Sequence, residues 1–402
     1  MNKSYNRERL VLAFLTMIFA SQAFAQNSQK PHFTFVNVAD STQGLSGFSQ
    51  FPAINHQGAV AFVARSSDGN QNVFKWHEGA IQTIASEADG LVKSFGDDVA
   101  INREGVVAYD GSPTSTANDR AIFTSNGIWT KTIVDANQQG LIARFFGAPS
   151  INASGTVAFF AERRDTSRAV FTGSGESLTA IADTKNSSFA GFGDAAINNS
   201  EQVAFLGFLK DFSPGVFVAT PNKERRYHGD PEASAFTITA VADPTSTLFS
   251  DPGVSFEDPA INADGTIADV AFLSNQNLVV FTGNHRSLTA RTDPNSSFFL
   301  GSEHPSINNH GAVAFSVDES SGGKGIFVEV SGGANPVAVL QSGDPLFGST
   351  VNRLTVGRFA FNNHFRLVFG YTLQDGRSGI AIAALHRNRE IEKSDEEDDD
   401  EQ

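Results

Sequence analysis

The sequence predicts an all-β fold, a seven-bladed β-propeller with four strands per blade. One phrase, Ile–Asn–x–x–Gly–x–Val–Ala–Phe, recurs seven times with variations along the 402 residues, and its copies are 46 to 64 residues apart. Repeats of about 40 to 50 residues with four strands each are typical of propeller blades. A half-repeat at each end of the array favours a closed ring over an open solenoid, because an open array needs capping repeats.

Each copy of the phrase predicts a strand, a tight turn and a second strand. Asn accommodates a left-handed backbone, and the Gly three residues later supplies a positive φ. Alternating apolar residues on both sides of the turn predict the strands. Glu201 and Phe365 replace this Gly in two copies, so we expect those turns to differ or to be strained. The repeat Asn residues are Asn55, Asn102, Asn152, Asn198, Asn262, Asn308 and Asn362.

The fifth copy departs from the others. Its terminal Phe, Phe272, comes two residues late, and we interpret Ala268 and Asp269 as an insertion. Two extra residues preserve the facing of the side chains, because the period of a strand is two.

A third strand with a Phe in register and a fourth strand follow each phrase. The fourth strand ends in Asp in most copies, where we expect the carboxylate to cap the next turn. The seventh repeat ends after its third strand, at residues 379–382, whereas residues 35–40 match the fourth-strand pattern. The N-terminal strand should therefore complete the last blade and remove the exposed sheet edges. These Asp residues are Asp40, Asp135, Asp183, Asp243, Asp293 and Asp344.

The two ends of the chain lie outside the predicted propeller, which spans residues 26–387. Residues 1–25 are interpreted as a secretory signal peptide, with basic residues, an apolar run at 10–20 and an Ala-x-Ala cleavage site at 23–25. Residues 388–402 are predicted to be an acidic disordered tail. We therefore expect an exported protein, extracellular or periplasmic, without a transmembrane segment in the mature chain.

The composition excludes several classes of function. The chain has no Cys, which excludes disulfides, a thiol nucleophile and Cys-ligated metal sites. Its net charge of −15 argues against a nucleic-acid partner. No zinc-protease, nucleophile-elbow, phosphate-loop or dinucleotide motif occurs, so no catalytic residue is assigned. No cofactor is predicted either, although a divalent cation such as calcium is compatible with convergent carboxylates.

The repeated phrase also resembles a known family. The segments 55–62, 152–159 and 308–315 match the pattern NxxGxxAF in full, and the other copies match it approximately. The chain thus resembles a secreted bacterial tandem-repeat family that this pattern defines. The resemblance implies propeller-like repeats and a bacterial surface or secreted location, and it implies no known activity.

The position four residues before the repeat Asn, where the first strand of each blade begins, varies although the neighbouring Ile–Asn hardly does. We call this position the column. In propellers the first strands line the central channel, so charged residues of the column should meet at the channel mouth. The column residues are Phe51, Asp98, Ala148, Asp194, Asp258, His304 and Arg358.

Five of the column residues are candidate ligand-binding residues: Asp98, Asp194, Asp258, His304 and Arg358. The acids Asp97, Glu257 and Glu303 directly precede three of them. Such a set could bind a divalent cation or act as acid and base on a sugar, and a hydrated rim of ordinary polar residues is the alternative. A basic cluster at 223–228 is a second candidate contact for a partner.

The sequence therefore indicates an exported propeller that binds an extracellular ligand or partner, either a glycan or a protein, without chemistry. One alternative is a polysaccharide-active hydrolase or lyase with an acidic site at the channel mouth. Another is a structural component of a cell surface or matrix.

Overall fold

The structure, a computed structural model, describes residues 32–386 except 115–119, 137–140, 223–234, 250, 294–297, 320–322, 331 and 333–334. The interpreted signal peptide, the acidic tail and the basic cluster at 223–228 lie outside the described residues. Among the described residues, no helix has the length and apolar character needed to cross a bilayer.

Seven antiparallel sheets form a ring, which confirms the prediction of a seven-bladed β-propeller. The chain enters through β1 (His32–Asp40) and then builds the blades in sequence order. Blades 1 and 2 contain β2 (Ala53–Ile54), β3 (Val60–Arg65), β4 (Gln71–His77), β5 (Ala80–Ser86), β6 (Ser94–Ile101), β7 (Val107–Ser112), β8 (Ala121–Ser125) and β9 (Thr130–Asp135). Blades 3 and 4 contain β10 (Ile142–Ile151), β11 (Val157–Arg163), β12 (Arg168–Gly173), β13 (Leu178–Asp183), β14 (Phe189–Ile197), β15 (Val203–Leu209), β16 (Pro214–Pro221) and β17 (Phe236–Ala242).

The last three blades follow the same order. Blades 5 and 6 contain β18 (Ser255–Phe256), β19 (Ala260–Ile261), β20 (Ile267–Phe272), β21 (Leu278–Asn284), β22 (Ser287–Ala290), β23 (Phe298–Ile307), β24 (Val313–Glu319), β25 (Lys324–Glu329) and β26 (Val337–Gln341). Blade 7 contains β27 (Pro345–Leu346), β28 (Ser349–Thr355), β29 (Arg366–Leu373) and β30 (Ser378–His386), together with β1. In the described residues the helical elements are two short 3-10 turns, Ser41–Gln43 and Glu87–Asp89.

The N-terminal strand closes the ring, as the half-repeats predicted. Strand β1 pairs antiparallel with β30 along its whole length, from His32 opposite His386 to Asp40 opposite Gly379. The outermost strand of blade 7 therefore comes from the start of the chain, and the first and last repeats are held in one sheet. Asp40 then caps the following turn, because its Oδ1 accepts the N–H of Thr42 at 2.8 Å.

The repeat Asn residues form a second closure around the axis. Each Asn side chain donates its Nδ2–H to the backbone carbonyl of the Asn in the next blade, over 3.0 to 3.4 Å. The last of these bonds runs from Asn362 to the carbonyl of Asn55, so the ring of seven is complete. In each blade the Asn Oδ1 also accepts the N–H four residues on, which fixes the turn. We call these seven side chains the Asn ring.

The Phe-rich composition supplies the packing of the blades. On the second and third strands of five blades, two buried aromatic rings face each other with centroids 5.5 to 6.0 Å apart. Blade 1 pairs Phe62 with Phe74, and blade 2 pairs Tyr109 with Phe123. Offset aromatic pairs contribute about 0.5–1.5 kcal/mol beyond their buried area.

The two turns that lack Gly have the same geometry as the others. Glu201 and Phe365 adopt φ values of +59° and +53°, close to those of the repeat glycines such as Gly155 at +81°. The turns therefore do not differ in form, and these two residues carry the left-handed strain instead.

Candidate ligand-binding site at the propeller axis

Five of the seven column residues lie where the first strand of their blade is irregular. In blades 2, 3, 4 and 6 the pairing of the first strand with the second shifts at the column. In blade 5 the first strand breaks there into β18 and β19. A bulge bends its strand and redirects a side chain, so the same backbone device redirects the column residues of these five blades. Phe51 lies just before β2 and Arg358 lies after β28, outside the strands.

Proline assists this geometry in four blades. Phe51, Ala148, Asp258 and His304 are each followed by Pro. A residue before Pro is restricted to extended backbone, and Pro cannot donate to a ladder that the bulge has already interrupted. A Pro directly after the column residue is therefore a feature of the sequence that indicates the bulge.

An ion pair crosses the axis between opposite blades. Arg358 of blade 7 places its Nη2 3.1 Å from Oδ2 of Asp194 in blade 4. Because these blades are three positions apart in a ring of seven, the contact is possible only through the centre. The same Oδ2 accepts the N–H of Ala148 at 2.9 Å, and the N–H of Asp194 is donated to Oδ1 of Asp258 at 2.6 Å.

Glycines make room for these carboxylates. A Cβ on Gly147 would lie 1.5 Å from Oδ1 of Asp194, and a Cβ on Gly193 would lie 2.2 Å from Oδ1 of Asp258. Any larger residue at either position would displace the carboxylate from its hydrogen bond. The glycines directly before the column are therefore part of the site.

Arg358 borders two cavities at the propeller axis. It borders an open cavity of ≈ 220 Å³ at the Asn ring, and it also borders a cavity of ≈ 10 Å³ at the column end, beside Asp98 and His304. Its side chain is 3% exposed and stacks on the ring of Phe359, 5.3 Å from the centroid. Its Nη1 is buried and has no hydrogen-bond partner within the described part of the chain.

Two neighbouring blades contribute a histidine and two carboxylates to the same end. Nδ1 of His304 lies 3.9 Å from Oε2 of Glu257, and one ligand atom from each of His304, Glu257 and Asp258 lies within 4.8 Å of the others. Burial lowers the pKa of His304 to about 4, so its imidazole is neutral at neutral pH. Burial, reinforced by the charge of Asp258, raises the pKa of Glu257 to about 7.

Asp98 connects this end to a larger side cavity. It borders the small axial cavity and also a cavity of ≈ 520 Å³ that Asp97, Asp110 and Arg120 line. Burial raises the pKa of Asp98, while the charge of Arg358 opposes the rise. Arg120 forms an ion pair with the buried Asp110. Cavities of about 300–1,000 Å³ are the size of ordinary small-ligand sites.

The interpretation of Asp269 as part of an insertion is wrong. Ala268 pairs with Ala260 as Ala61 pairs with Ala53, and the turn before it has the hydrogen bonds of the other blades. Asp269 therefore stands opposite Phe281, in the position that an aromatic ring occupies in the other six blades. The strand has no extra residues; the Phe is displaced along it. Aligning the copies on their Asn–Gly turns would have found this acid.

The replacement places an acid in the core beneath the site. Asp269 is fully buried, and its Oδ2 has no hydrogen-bond partner among the residues that the structure describes. Burial raises its pKa well above the ordinary value, and the nearby charges of Asp258 and Glu257 raise it further. Oδ1 of Asp269 accepts the N–H of Val270 at 2.6 Å. A buried carboxyl group with one oxygen lacking a partner costs stability, so a residue that breaks the repeat in this way is a candidate for function.

All five predicted site residues come together at one end of the axis. Asp194 contacts Arg358 and Asp258, His304 lies beside Asp258, and Asp98 shares a cavity with His304 and Arg358. Of the preceding acids, Glu257 belongs to the group, Asp97 lines the side cavity, and the side chain of Glu303 is outside the described residues. Whether these residues bind a ligand stays a prediction. We call the group the axial cluster: Asp98, Asp194, Glu257, Asp258, His304 and Arg358.

Comparison with known proteins bears on the fold more than on the site. Residues 54–188 match a family of unknown function, DUF7453. Among curated proteins, none matches this sequence. The repeats of the first three blades thus lie within the matched segment, whose family has no assigned activity.

Solved structures with a similar fold include propeller enzymes. An oligogalacturonate lyase from Vibrio parahaemolyticus has a TM-score of 0.53 and 12% identity, and the match covers 89% of this chain and 98% of the lyase. A puromycin-hydrolysing peptidase from Mycobacterium tuberculosis has a TM-score of 0.54 and 11% identity, over 87% of this chain and 54% of the peptidase. This chain spans about half the length of that peptidase. At these identities the likeness shows the propeller fold alone.

Proposed function

We propose that this protein is an exported β-propeller that binds a small hydroxyl-rich ligand, a glycan fragment, at the axial cluster and the adjoining side cavity. The observation that supports it best is the cavity of ≈ 520 Å³ lined by Asp97, Asp98, Asp110 and Arg120, which adjoins the axial cluster through Asp98. Export rests on the apolar run at 10–20 and the cleavage site at 23–25.

The chemistry of the lining favours hydroxyl groups. Each sugar hydroxyl both donates and accepts a hydrogen bond, and the site offers acceptors on Asp97 and Asp98 close to donors on Arg120 and Arg358. The carboxylates outnumber the guanidinium groups here, so a ligand that presents only negative charge would be repelled. A neutral or amino sugar fits both requirements.

Isothermal titration with a panel of neutral, amino and acidic oligosaccharides tests this proposal. We expect Asp98→Asn to weaken binding of the best ligand about tenfold or more, because hydrogen bonds to charged groups contribute about 1.5–3 kcal/mol. Asp264→Asn is the matched control, since Asp264 is an exposed residue in a turn of the Asn ring. Unchanged affinity in Asp98→Asn, or no binding by any sugar of the panel, would contradict the proposal.

The alternative is a polysaccharide-active enzyme, and a turnover assay with the same sugars distinguishes it from a binding module. The lyase from Vibrio parahaemolyticus makes oligogalacturonate the first substrate to include. Turnover by the wild type, abolished in the double variant Asp194→Ala/Asp258→Ala, would replace the binding module with an enzyme. Concentration-dependent assembly in size-exclusion chromatography would instead favour the structural component of a surface or matrix.

A further inference from the structure

We infer that Glu257, Asp258 and His304 form a binding site for one divalent transition-metal ion, such as Zn²⁺ or Mn²⁺, within the axial cluster. The role of the ion rests on the proposed function, since it would bind hydroxyl groups of the ligand. The existence of the metal site does not depend on the proposed function, and it can be tested without any sugar.

The spacing of the donor atoms suits an ion of this size. Nδ1 of His304 and Oε2 of Glu257 are 3.9 Å apart, and the Asp258 carboxylate lies within 4.8 Å of both. Two ligand atoms bound to one tetrahedral ion at about 2.1 Å are about 3.4 Å apart. Glu257 is partly exposed, so its side chain can close the difference by a small rotation.

The histidine decides the class of ion. Ca²⁺ and Mg²⁺ prefer sites made of oxygen atoms, whereas imidazole nitrogen suits the transition metals. Nδ1 of His304 is buried and lacks a hydrogen-bond partner in the described parts of the structure. The ring is held in place by the edge of Phe51, with centroids 6.2 Å apart, and by the restricted backbone before Pro305.

The carboxylate of Asp258 is oriented before any ion arrives. Its Oδ1 accepts the N–H of Asp194 at 2.6 Å, which leaves Oδ2 for an ion. Gly193 permits this approach, because a Cβ there would lie 2.2 Å from Oδ1. Partners that orient a ligand in this way typically change metal affinity by about 10–100-fold.

Charge supplies an independent reason for a cation. The axial cluster and Asp269 together hold five carboxyl groups and one guanidinium group. Asp269 lies in the core where the other blades have an aromatic ring, with Oδ2 buried and without a partner in the described residues. Crowded buried acids are costly unless positive charge balances them, and a bound divalent ion is the largest local charge that such a site can gain.

Metal analysis of the full mature chain tests the inference. The protein is prepared without a His tag, treated with a chelator, and titrated with Zn²⁺ and with Mn²⁺ by calorimetry; Co²⁺ provides a visible absorption band. We expect one ion per chain, a metal-dependent rise in melting temperature, and binding at least 100-fold weaker in His304→Ala. The matched control is His77→Ala, since His77 is exposed at the end of β4.

A second variant guards against misfolding. Glu257→Gln changes a partly exposed side chain, and it should weaken the ion about tenfold or more while leaving the circular dichroism spectrum unchanged. Equal Zn²⁺ affinity in wild type and His304→Ala, or tighter binding of Ca²⁺ than of either transition metal, would overturn the inference. If no ion binds but Asp98→Asn still loses the sugar, the metal site fails and the proposed function stands. If the ion binds and no sugar does, the metal site stands and the proposed function fails.

Discussion

A few residues that break a strict repeat carry the chemistry of this protein. The aromatic position of the second strand is Phe or Tyr in six blades and Asp269 in blade 5. The column holds Phe51 and Ala148 in two blades and charged or polar groups in the others. Repetition stabilises the ring in every blade alike, so a residue that departs from it at a cost in stability indicates a local requirement.

The strained turns test how the repeat uses glycine. Glu201 has a φ of +59° in the turn where blade 3 has Gly155 at +81°. We expect Glu201→Gly to raise the free energy of unfolding by about 0.5–1 kcal/mol, because Gly adopts left-handed backbone without a Cβ penalty. Urea unfolding measures the change. The reciprocal variant Gly155→Glu should lose a similar amount, since no atom lies within 4 Å of a Cβ there; equal stability of all three proteins would contradict the expectation.

At the scale of the element, the first strand of each blade has two specialised ends. The Asn–Gly turn at one end joins the Asn ring, and the bulge at the other end carries the column. The strand between them is short, so both ends lie close to the axis. Architecture and candidate function therefore occupy opposite ends of the same strands.

The variant Gly193→Ala tests whether the bulge of blade 4 positions the Asp258 carboxylate. In Gly193→Ala the new Cβ would lie 2.2 Å from Oδ1 of Asp258, so the carboxylate must move away from the N–H of Asp194. We expect Zn²⁺ affinity to fall about tenfold or more, as for other residues that orient metal ligands. Gly191→Ala on the same strand is the control, because its Cβ would have 3.8 Å to the nearest atom.

The circular dichroism spectrum and the melting temperature of the metal-free Gly193→Ala protein should stay close to those of the wild type. An unchanged Zn²⁺ affinity in Gly193→Ala, measured with the wild type binding one ion, would show that Asp258 does not need this geometry.

At the scale of the whole molecule, two closures hold the ring without disulfides. Strand β1 joins the first and last repeats in one sheet, and the Asn ring links all seven blades around the axis. Each Asn side chain is nearly buried, and its bonds satisfy backbone groups at a strand end that would otherwise be unpaired.

Removal of the N-terminal strand tests closure. A chain that starts at residue 41 leaves β30 as an exposed sheet edge. It also lacks the buried residues Val38 and Ala39, so the core residues that they cover become exposed. We expect a clearly lower melting temperature and self-association, because unpaired edges recruit other strands. A synthetic peptide of residues 32–40 should restore the melting temperature, and the peptide carrying Val38→Asp should not. A truncated chain as stable and monomeric as the full one would refute closure by β1.

Most of the fold could be predicted from the chain alone. The sevenfold phrase, the register of the Phe residues and the half-repeats at 35–40 and 379–382 correctly predict the blades and their closure. Local patterns suffice for most of the fold because the strands of six blades are neighbours in sequence, and the pairing of β1 with β30 in blade 7 follows from the two half-repeats. The register of blade 5 is the exception. Aligning the fifth copy on Phe272 gives the wrong register, and the pairing of Asp269 with Phe281 in the structure corrects it.

The column could be located from the sequence because it varies where its surroundings do not. Its contacts could not be predicted, since the partners are 46 to 164 residues apart in the chain. The sequence does not predict the role of Asp110 and Arg120 either, because nothing in the repeat marks the second strand of blade 2, or the residue before its third strand, as the wall of a cavity.

The sequence by itself determined the class, the number of blades and the position from which a site would be built. Periodicity is sufficient for this, because a repeated strand pattern has few ways to bury its apolar face. Only the tertiary structure decided that Arg358 reaches Asp194 across the axis, and that Glu257, Asp258 and His304 meet at one point. Those distances depend on closure of the ring, which brings residues of different repeats together, and no single repeat determines them.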